Sequence, residues 1–349
     1  MKIIDLRRDT ITRPNKKMRE MAFAADLGDS VYGEDPEHQA LEQQAAEKLG
    51  KEASLFLPSG TMGNLTAVLT HTRRGDEIIL EKNAHIRTSE TGGAAAVGGL
   101  SINTVPGPYG LPDPAGVENA VRADNIHYPR TGLVCGEMSH YRYGGIVAPL
   151  PGLKELYTLC RKKQIPLHLD GARIFNAALY LGVDVREITK HTDSVMVSLS
   201  KGLGAPVGSM LCGTADFIEK AKRYRKMLGG GMRQTGWLCA CGREALSDEN
   251  IALLKIDHAN AKKLALGLNS IEGFSVDMER VHTNYVVAET AFSQEQLASL
   301  TAYAEGRSVL LNPPRGGTLR FVISREVTDR DIDSALQVID NFTKEAKAD

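Results

Sequence analysis

Three short segments place an anion-binding turn, a carboxylate and an amine where each could take part in chemistry. Ser59–Asn64 (SGTMGN) follows an apolar run and is predicted to begin a helix, whose free N–H groups and dipole favour a phosphate. Asp170 lies in LDGAR, where a buried carboxylate at a strand end can keep a pyridine nitrogen protonated. Lys201 lies in SLSKGLGAPVG, between a predicted strand and a glycine-rich turn, where an amine can be desolvated enough to form an imine.

Each of these segments also has a simpler structural interpretation. Ser59 could serve simply as the N-cap of its helix, and Asp170 could cap the helix that follows it. The position of Lys201, taken alone, does not distinguish a catalytic lysine from a structural one. A phosphate turn, a strand-end aspartate and a strand-end lysine in this order are much less common by chance than any one of them. Together they predict a site for pyridoxal 5'-phosphate (PLP) held covalently by Lys201.

The elements that would position these residues form an alternating pattern. From about residue 50 to 245, short β-rich runs alternate with helical stretches, which is typical of a parallel sheet covered by helices on both faces. Ligands of such sheets bind beyond the carboxyl ends of the strands, so Asp170 and Lys201 are expected to share one site. The helix after Ser59 is predicted to bury Met62, Leu65, Val68 and Leu69, and the predicted strands are Ala53–Pro58, Glu77–Leu80, Pro166–Asp170 and Ser194–Ser198.

The pattern changes after Asp248. A long polar helix is predicted first, then strands near Tyr285–Glu289 and Thr318–Ser324, and finally a helix from Asp329. We therefore predict an N-terminal arm (1–20), a large PLP-binding domain (21–247) and a smaller C-terminal α/β domain (248–349).

Composition narrows the class of protein. Lys plus Arg (42) nearly balance Asp plus Glu (43), so no global field should attract nucleic acid or anionic lipid. The charged start, MKIIDLRRDTITRP, is unlike a signal peptide, and no apolar run is long enough to cross a membrane. The five cysteines have no zinc-like spacing, so we expect reduced thiols, no metal site and a cytoplasmic location.

Longer motifs identify a resemblance over nearly the whole chain. The sequence resembles the low-specificity L-threonine aldolases of the β-eliminating lyase family, which belong to the fold type I (aspartate-aminotransferase-like) PLP enzymes. The motifs that carry the resemblance are DLRRDTITRP (5–14), GDSVYGEDP (28–36), FLPSGTMGN (56–64), HLDGARIFNAAL (168–179), SLSKGLGAPVGS (198–209), RKMLGGGMRQTG (225–236) and GTLRFVIS (317–324). The resemblance implies a PLP-dependent transferase-like large domain with a mainly parallel, seven-stranded type of sheet, and a smaller α/β domain.

The resemblance also implies roles for single residues. It makes Lys201 the lysine that binds PLP covalently, Asp170 the partner of the pyridine nitrogen and His85 (NAHIRTSE) the histidine stacked on the ring and first choice of base. His127 (NIHYPRT) would be the second histidine, although it could be structural, and Tyr32 would lie in the same pocket unless it only packs. The phosphate of PLP would be bound by Ser59, Gly60 and Thr61, and by Arg233 of the neighbouring subunit. The substrate carboxylate would be bound by Arg173 and Arg320, and Arg173 would also belong to the cofactor site.

The implied reaction is the aldol cleavage of β-hydroxy-α-amino acids, for instance L-threonine or L-allo-threonine to glycine plus acetaldehyde. The enzyme would be an aldehyde-lyase of amino acid metabolism, and the shared phosphate site implies a homodimer or homotetramer. An alternative is a PLP-dependent β-eliminating or other carbon–carbon lyase acting on a different amino acid. A non-catalytic PLP-binding protein is disfavoured, because the chain keeps the lysine, the aspartate and the arginines together.

The sequence departs from the family pattern in three places. Arg8 stands where the family usually has a serine near the substrate carboxylate, Arg87 follows the histidine of HI where an aromatic pair is usual, and Arg142 lies in an altered EMSHYRYGG segment. A buried extra guanidinium would need an anion, either Glu90 or Glu137 or an acidic group on the substrate. Both possibilities remain open at the level of sequence.

Overall fold

The computed structural model describes residues 2–345, which form two compact units. The larger contains residues 14–143 and 147–251, and the smaller contains the segment up to residue 13, residues 144–146 and the chain from residue 252. The strands are β1 (Ile4–Asp5), β2 (Ala53–Leu57), β3 (Glu77–Glu81), β4 (Ser101–Val105), β5 (Thr131–Glu137), β6 (Leu167–Asp170), β7 (Ser194–Ser198), β8 (Ser209–Gly213), β9 (Phe274–Ser275), β10 (Tyr285–Thr290), β11 (Val309–Leu310) and β12 (Thr318–Val322). The helices are α1 (Lys16–Ala24), α2 (Pro36–Leu49), α3 (Gly60–His71), α4 (His85–Thr88), α5 (Gly93–Ala96), α6 (Pro114–Ala120), α7 (Leu150–Lys163), α8 (Ile174–Leu181), α9 (Val185–Thr189), α10 (Ala215–Met227), α11 (Gly236–Ala245), α12 (Asp248–Ala252), α13 (Leu254–Asn269), α14 (Gln294–Glu305) and α15 (Asp329–Glu345).

The larger unit is built on one seven-stranded sheet. Its strand order is β2-β8-β7-β6-β5-β3-β4, and only β8 runs antiparallel to its neighbours. Every residue of β5, β6 and β7 is buried, as expected for strands covered on both faces. This architecture confirms the predicted α/β fold class with a mainly parallel sheet.

The four strands predicted from the sequence all form, with small differences at their ends. Ser194–Ser198 is reproduced as β7, whereas β3 continues to Glu81. Pro58 and Pro166 were predicted to lie in strands, but β2 ends at Leu57 and β6 begins at Leu167. Proline has no N–H to donate to a ladder, which explains why it lies just outside both strands.

Helix α3 lies closer to the sheet than its apolar pattern predicts. Val68 and Leu69 are buried as expected, but Met62 and Leu65 are only half-buried. The buried face consists instead of small and polar residues, including Gly63, where a Cβ would lie 2.7 Å from Cγ of Met196 on β7. Such a close approach requires small side chains, so the larger apolar residues point away from the contact.

The smaller unit has its own sheet and its own core. Strands β12, β10 and β9 form an antiparallel sheet in that order, and β1 pairs in parallel with β11. Apolar residues of α13, α14 and α15 pack on this sheet in one hydrophobic cluster. The long polar helix predicted after Asp248 is in fact two helices, α12 and α13.

None of the helices within residues 2–345 is both long and apolar enough to cross a membrane.

Candidate active site

Four neighbouring parallel strands of the larger unit deliver polar residues to one edge of the sheet. Strands β3, β5, β6 and β7 lie side by side, so their carboxyl ends meet at the edge where ligands bind in this kind of sheet. Glu137 ends β5 and Asp170 ends β6, and the two residues are partners in the strand register. His85 begins α4 four residues after β3, and Lys201 follows β7 by three residues.

Lys201 lies in a turn that ends the β7 strand. The turn is closed by two backbone hydrogen bonds, from Gly204 N to Lys201 O (2.8 Å) and from Ala205 N to Leu199 O (3.0 Å). Gly204 has a φ of +83°, a conformation that glycine adopts at no steric cost. Lys201 is half-buried and lines a small pocket together with Arg173 and Ser198. The predicted amine and one predicted carboxylate-binding arginine therefore share a cavity.

Asp170 is a buried carboxylate that accepts hydrogen bonds on both oxygens. Only 3% of its surface is exposed. Asn64 Nδ2 on helix α3 donates to Oδ2 (2.9 Å), and Ala172 N donates to Oδ1 (3.1 Å). These two hydrogen bonds hold the carboxylate in one orientation, which suits it to bind a cation such as a protonated pyridine nitrogen.

The turn from Ser59 to Thr61 lies at the N-terminus of α3. Ser59 caps the helix, since its Oγ accepts from Met62 N at 3.2 Å, and Gly60 is the first helical residue. Ser209 Oγ donates to Ser59 O (2.8 Å), and Ser209 is the strand partner of Ser198 at the end of β7. This network places the anion-binding turn at the same end of β7 as Lys201. Ser59 thus does cap its helix, and the N–H groups of the first turn remain suited to a phosphate.

His85 is fixed by two carboxylates. Its backbone N–H donates to Glu137 Oε2 (2.7 Å), and its Nδ1 shares a hydrogen bond with Glu90 Oε1 (2.8 Å). Burial lowers the pKa of His85, but the hydrogen bond with Glu90 and the charges of Asp170, Glu90 and Glu137 outweigh it, so the pKa lies above its usual value. Burial also raises the pKa of Glu90, against the effect of the hydrogen bond from His85. The pair therefore holds a proton that can move between two groups.

His85, Glu90 and Asp170 converge closely enough to suggest a metal site as well. Their nearest ligand atoms all lie within 4.8 Å of one another. However, Asn64 Nδ2 donates to Glu90 Oε1 (2.7 Å) as well as to Asp170 Oδ2 (2.9 Å), which places amide hydrogens where a cation would need lone pairs. The donor set therefore fits a group with a protonated ring nitrogen better than it fits a bare metal ion.

Arg233 and Tyr32, both predicted for the site, lie together on the surface of the larger unit. The Arg233 guanidinium carbon is 5.4 Å from the centre of the Tyr32 ring, and Nη1 lies 3.4 Å from Asp29 Oδ2. Tyr32 is 73% exposed. His127 is also exposed, in a loop where its N–H donates to Asn125 Oδ1 (2.9 Å).

Two other predicted residues, Arg8 and Arg320, belong to the smaller unit. Arg320 lies on β12, half-buried, with its guanidinium carbon 6.0 Å from the Tyr285 ring centre. Arg8 is exposed, so this chain gives it no desolvation that an anion must offset. Glu90 and Glu137 are both hydrogen-bonded to His85 within the larger unit.

The other two unusual arginines are also exposed. Arg87 donates from Nη1 to Lys82 O (2.7 Å), and Arg142 donates from Nε to Thr88 Oγ1 (3.1 Å). Both contacts lie on the outside of α4, so neither guanidinium is held in the core.

A comparison of the sequence with protein families supports the resemblance. The pattern of the beta-eliminating lyases matches residues 5–291. The chain belongs to the beta-eliminating lyase family.

Individual relatives of this lyase are more specific. It is 43% identical to low-specificity L-threonine aldolase 1 of Arabidopsis thaliana over 337 residues, which cover 95% of this chain and 94% of that protein. It is 44% identical to the low specificity L-threonine aldolase of Escherichia coli K12 over 311 residues, or 89% of this chain and 91% of that protein. These relatives confirm the family predicted from the motifs.

Solved structures show the same fold. The threonine aldolase of Leishmania major matches with a TM-score of 0.83 at 20% identity, covering 97% of this chain and 99% of that chain. A structure of SPT with PLP matches with a TM-score of 0.79 at 18% identity, covering 99% of this chain and 88% of that chain. The lyase thus has the fold of fold type I PLP enzymes.

Sequence reasoning missed two residues of the lyase's candidate site. From the sequence, Asn64 is recognised only as the last residue of the SGTMGN motif, and Glu90 only as a possible partner for Arg8. A signal for Asn64 existed, because it is an amide directly before Leu65 in a helix predicted to pack on the sheet, and a buried amide requires hydrogen-bond partners. No comparable signal existed for Glu90, which reaches the site through a loop after α4.

Proposed function

We propose that this lyase cleaves the Cα–Cβ bond of β-hydroxy-α-amino acids, including L-threonine and L-allo-threonine, to give glycine and an aldehyde. The observation that carries the proposal is the meeting of Lys201, Asp170 and the His85–Glu90 pair at one edge of the sheet, in a chain 43 and 44% identical to low-specificity L-threonine aldolases. Each of these groups has a separate task in such a cleavage.

The cofactor proposed for the site is PLP, which supplies an electron sink for the pair of electrons left on Cα. Lys201 offers the amine that binds it covalently, and Asp170 offers a buried, hydrogen-bonded carboxylate for the ring nitrogen. The turn formed by Ser59, Gly60 and Thr61 offers backbone N–H groups for the phosphate. His85, at the start of α4, is the residue proposed to stack on the ring.

His85 is the proposed base of the cleavage. Its Nδ1 is bonded to Glu90, which leaves Nε2 to take the proton of the substrate β-hydroxyl, directly or through a water molecule. As the Cα–Cβ bond breaks, the hydroxyl oxygen becomes the carbonyl oxygen of the aldehyde, and a proton delivered to Cα then completes glycine. His127 is the second choice, because it is exposed in the single chain.

Arg173 and Arg320 are proposed to bind the substrate carboxylate. A planar guanidinium binds a carboxylate through two parallel hydrogen bonds, which fixes the orientation of Cα and so selects the bond that breaks. Arg173 is buried at the start of α8 and lines the pocket of Lys201. Arg320 would contribute from the smaller unit, and Arg8 and Tyr32 are proposed as further substrate contacts.

A homodimer or homotetramer is proposed, with Arg233 completing the phosphate site of a neighbouring subunit. Arg233 is exposed, and so are the large apolar side chains of Phe23 (87%), Met227 (72%) and Trp237 (48%). Large apolar side chains that are exposed in the single chain are candidates for burial between subunits. The five free, buried cysteines support the proposed cytoplasmic location.

The proposed function can be tested by identifying the reaction products and the lysine that binds PLP. The purified lyase should be yellow, and incubation with threonine should release glycine and acetaldehyde in equal amounts. Borohydride should abolish the visible band and fix PLP to one peptide containing Lys201, while Lys201→Ala should remain colourless and inactive. Ammonia and a keto acid as the products, or an adduct on Lys226, would contradict the proposal.

A further inference from the structure

A chain of buried hydrogen bonds runs through the larger unit and ends on Asp170. His71 Nε2 lies 2.8 Å from Ser194 Oγ, and Ser194 Oγ lies 2.9 Å from His168 Nδ1. His168 Nε2 lies 3.1 Å from Asn64 Oδ1, and Asn64 Nδ2 donates to Asp170. His168, Ser194 and Asn64 are completely buried. Nothing in the proposed reaction uses His71, Ser194 or His168.

The direction of every hydrogen bond in this chain follows from its carboxylate end. Asn64 Nδ2 faces two carboxylates, Glu90 (2.7 Å) and Asp170 (2.9 Å), which accept, so the amide nitrogen must be the donor on that side. The amide oxygen then faces His168, and it can only accept. His168 Nε2 therefore carries a hydrogen.

The tautomers of the two imidazoles follow from the same reasoning. Burial lowers the pKa of His168 to about 4, although the charge of Asp170 acts in the opposite direction, so this ring is neutral near pH 7. With hydrogen on Nε2, its Nδ1 is bare and accepts from the Ser194 hydroxyl. The Ser194 oxygen is then free to accept from Nε2–H of His71, whose pKa burial lowers to about 3. Each donor in the chain thus points towards Asp170.

We infer that His168, Ser194 and His71 are positioning residues that hold the Asn64 amide in one orientation and, through it, hold Asp170 as a hydrogen-bonded anion for the ring nitrogen of PLP. This inference rests on the cofactor named in the proposed function.

Asn64 cannot select its orientation by itself, since its oxygen and nitrogen occupy nearly the same shape. A flipped amide would direct its oxygen at the oxygens of Glu90 and Asp170, at distances of 2.7 and 2.9 Å, and would present its N–H₂ to His168 Nε2–H. Both contacts would then be repulsive. The two carboxylates and the hydrogen on His168 Nε2 therefore favour the same orientation of the amide, and the Ser194 hydroxyl, by donating to Nδ1, favours the tautomer of His168 that carries this hydrogen.

The test compares substitutions that keep or remove the N–H at the Nε2 position of His168. In His168→Gln the amide nitrogen can occupy that position and donate to Asn64, whereas His168→Leu removes the donor and leaves an apolar side chain of similar bulk. A hydrogen bond to a charged group corresponds to roughly a ten- to hundredfold change in affinity. We expect about a tenfold or greater rise in the Kd for PLP in His168→Leu, and a substantially smaller rise in His168→Gln.

A second pair of variants controls for a general loss of stability of the sheet. Ser194→Ala removes one hydroxyl from the chain, and Ser54→Ala removes a hydroxyl from β2 that is also buried and that donates to Glu42 O (2.6 Å), outside the chain of hydrogen bonds. The Kd for PLP is measured by titrating each apo protein with PLP and following the quenching of Trp237 fluorescence or the visible absorbance of the bound cofactor, and the Tm of each apo variant is recorded alongside. We expect weaker PLP binding in Ser194→Ala and an unchanged Kd in Ser54→Ala.

The possible results separate this inference from the proposed function. An unchanged Kd in His168→Leu, equal effects of Gln and Leu at position 168, or equal effects of Ser194→Ala and Ser54→Ala would each overturn the inference while wild type still binds PLP and cleaves threonine. If wild type binds no PLP, the proposed function fails and the inference fails with it. Rescue by Gln alone, at matched Tm, is the result that a merely structural role for His168 would not give.

Discussion

The buried carboxylate of Asp257 makes a quantitative prediction about stability. Asp257 lies on α13 in the smaller unit and is completely buried, and neither of its carboxyl oxygens has a hydrogen-bond partner among the described residues. Burial is the largest cause that raises its pKa from 3.8 to about 8; the positive charge of Arg325 opposes this, and the charge of Asp9 adds to it. A carboxyl group in this position is neutral at pH 7, whereas in the unfolded chain it is ionised. Folding must therefore bind a proton there.

The sign and size of the effect follow from linkage. The pKa is higher in the folded state, so the stabilising contribution is fully present below the unfolded pKa of 3.8 and is lost as the pH rises through about 8. One pKa unit corresponds to ~1.4 kcal/mol, so Asp257 should cost the fold roughly 4 kcal/mol between pH 5 and pH 8. Asp257→Asn replaces the carboxyl by a neutral group of the same shape and should remove this pH dependence.

The assay is scanning calorimetry of wild type and Asp257→Asn at pH 5 and pH 8. An unfolding entropy of about 2.1 cal/mol/K per residue converts 4 kcal/mol into a change of about 5 °C for a chain of this length. We expect the Tm of Asp257→Asn, relative to wild type, to rise by about that amount between the two pH values. Asp333→Asn, at an exposed position of α15, is the control for replacing any aspartate of this unit by asparagine. A constant difference between Asp257→Asn and wild type at both pH values would refute the reasoning.

Three further predictions concern the site. Glu90→Gln removes a charge and a carboxylate acceptor that raise the pKa of His85, so the acidic limb of the pH profile of kcat/KM should move to lower pH; a limb that stays in place argues against His85 as the base. Inactive Lys201→Ala and Arg233→Ala chains refolded together should regain part of the activity, because one site of a hybrid dimer receives both intact residues; a fully active monomer would contradict this. Arg8→Ser should leave the ranking of threonine, allo-threonine, phenylserine and β-hydroxyaspartate unchanged if Arg8 is only structural, and a selective loss of β-hydroxyaspartate cleavage of about ten- to a hundredfold would assign Arg8 to an acidic substrate.

The sequence predicts elements of this fold where a single local pattern decides the outcome. Strand β7 was placed correctly because Val195 and Val197 alternate with neighbours inside a short apolar run bounded by polar residues. Helix α3 was placed correctly, and Val68 and Leu69 are buried as predicted, but Met62 and Leu65 are only half-buried, because the close approach of Gly63 to Met196 favours small side chains at the contact. The division at residues 20 and 247 stays a prediction.

The candidate site was predicted in part for a similar reason. Lys201 and Asp170 can be proposed from sequence because Asp170 ends β6 and Lys201 follows the end of β7, and the parallel topology brings these strand ends together. Asn64 reaches Asp170 from a helix face 106 positions earlier in the chain, and Glu90 reaches His85 from a loop whose path no motif predicts. Contacts of this kind depend on how closely α3 lies on the sheet, which the apolar pattern misjudged.

The histidines on the two sides of Asn64 differ in their surroundings, and this difference explains why only one is suited to proton transfer. His168 and His71 are hydrogen-bonded to neutral groups, and burial outweighs the charge of Asp170 on His168, so their pKa values fall to about 4 and about 3. His85 faces three carboxylates, so its pKa is raised despite burial. A cation held on Asp170 would offset one of those charges and lower the pKa of His85 again, which would favour the neutral, proton-accepting form of His85 when the site is filled. The Asn64 amide therefore lies between imidazoles with two different roles. Those of His168 and His71 fix the orientation of the amide, whereas the imidazole of His85 can change its charge during the proposed reaction.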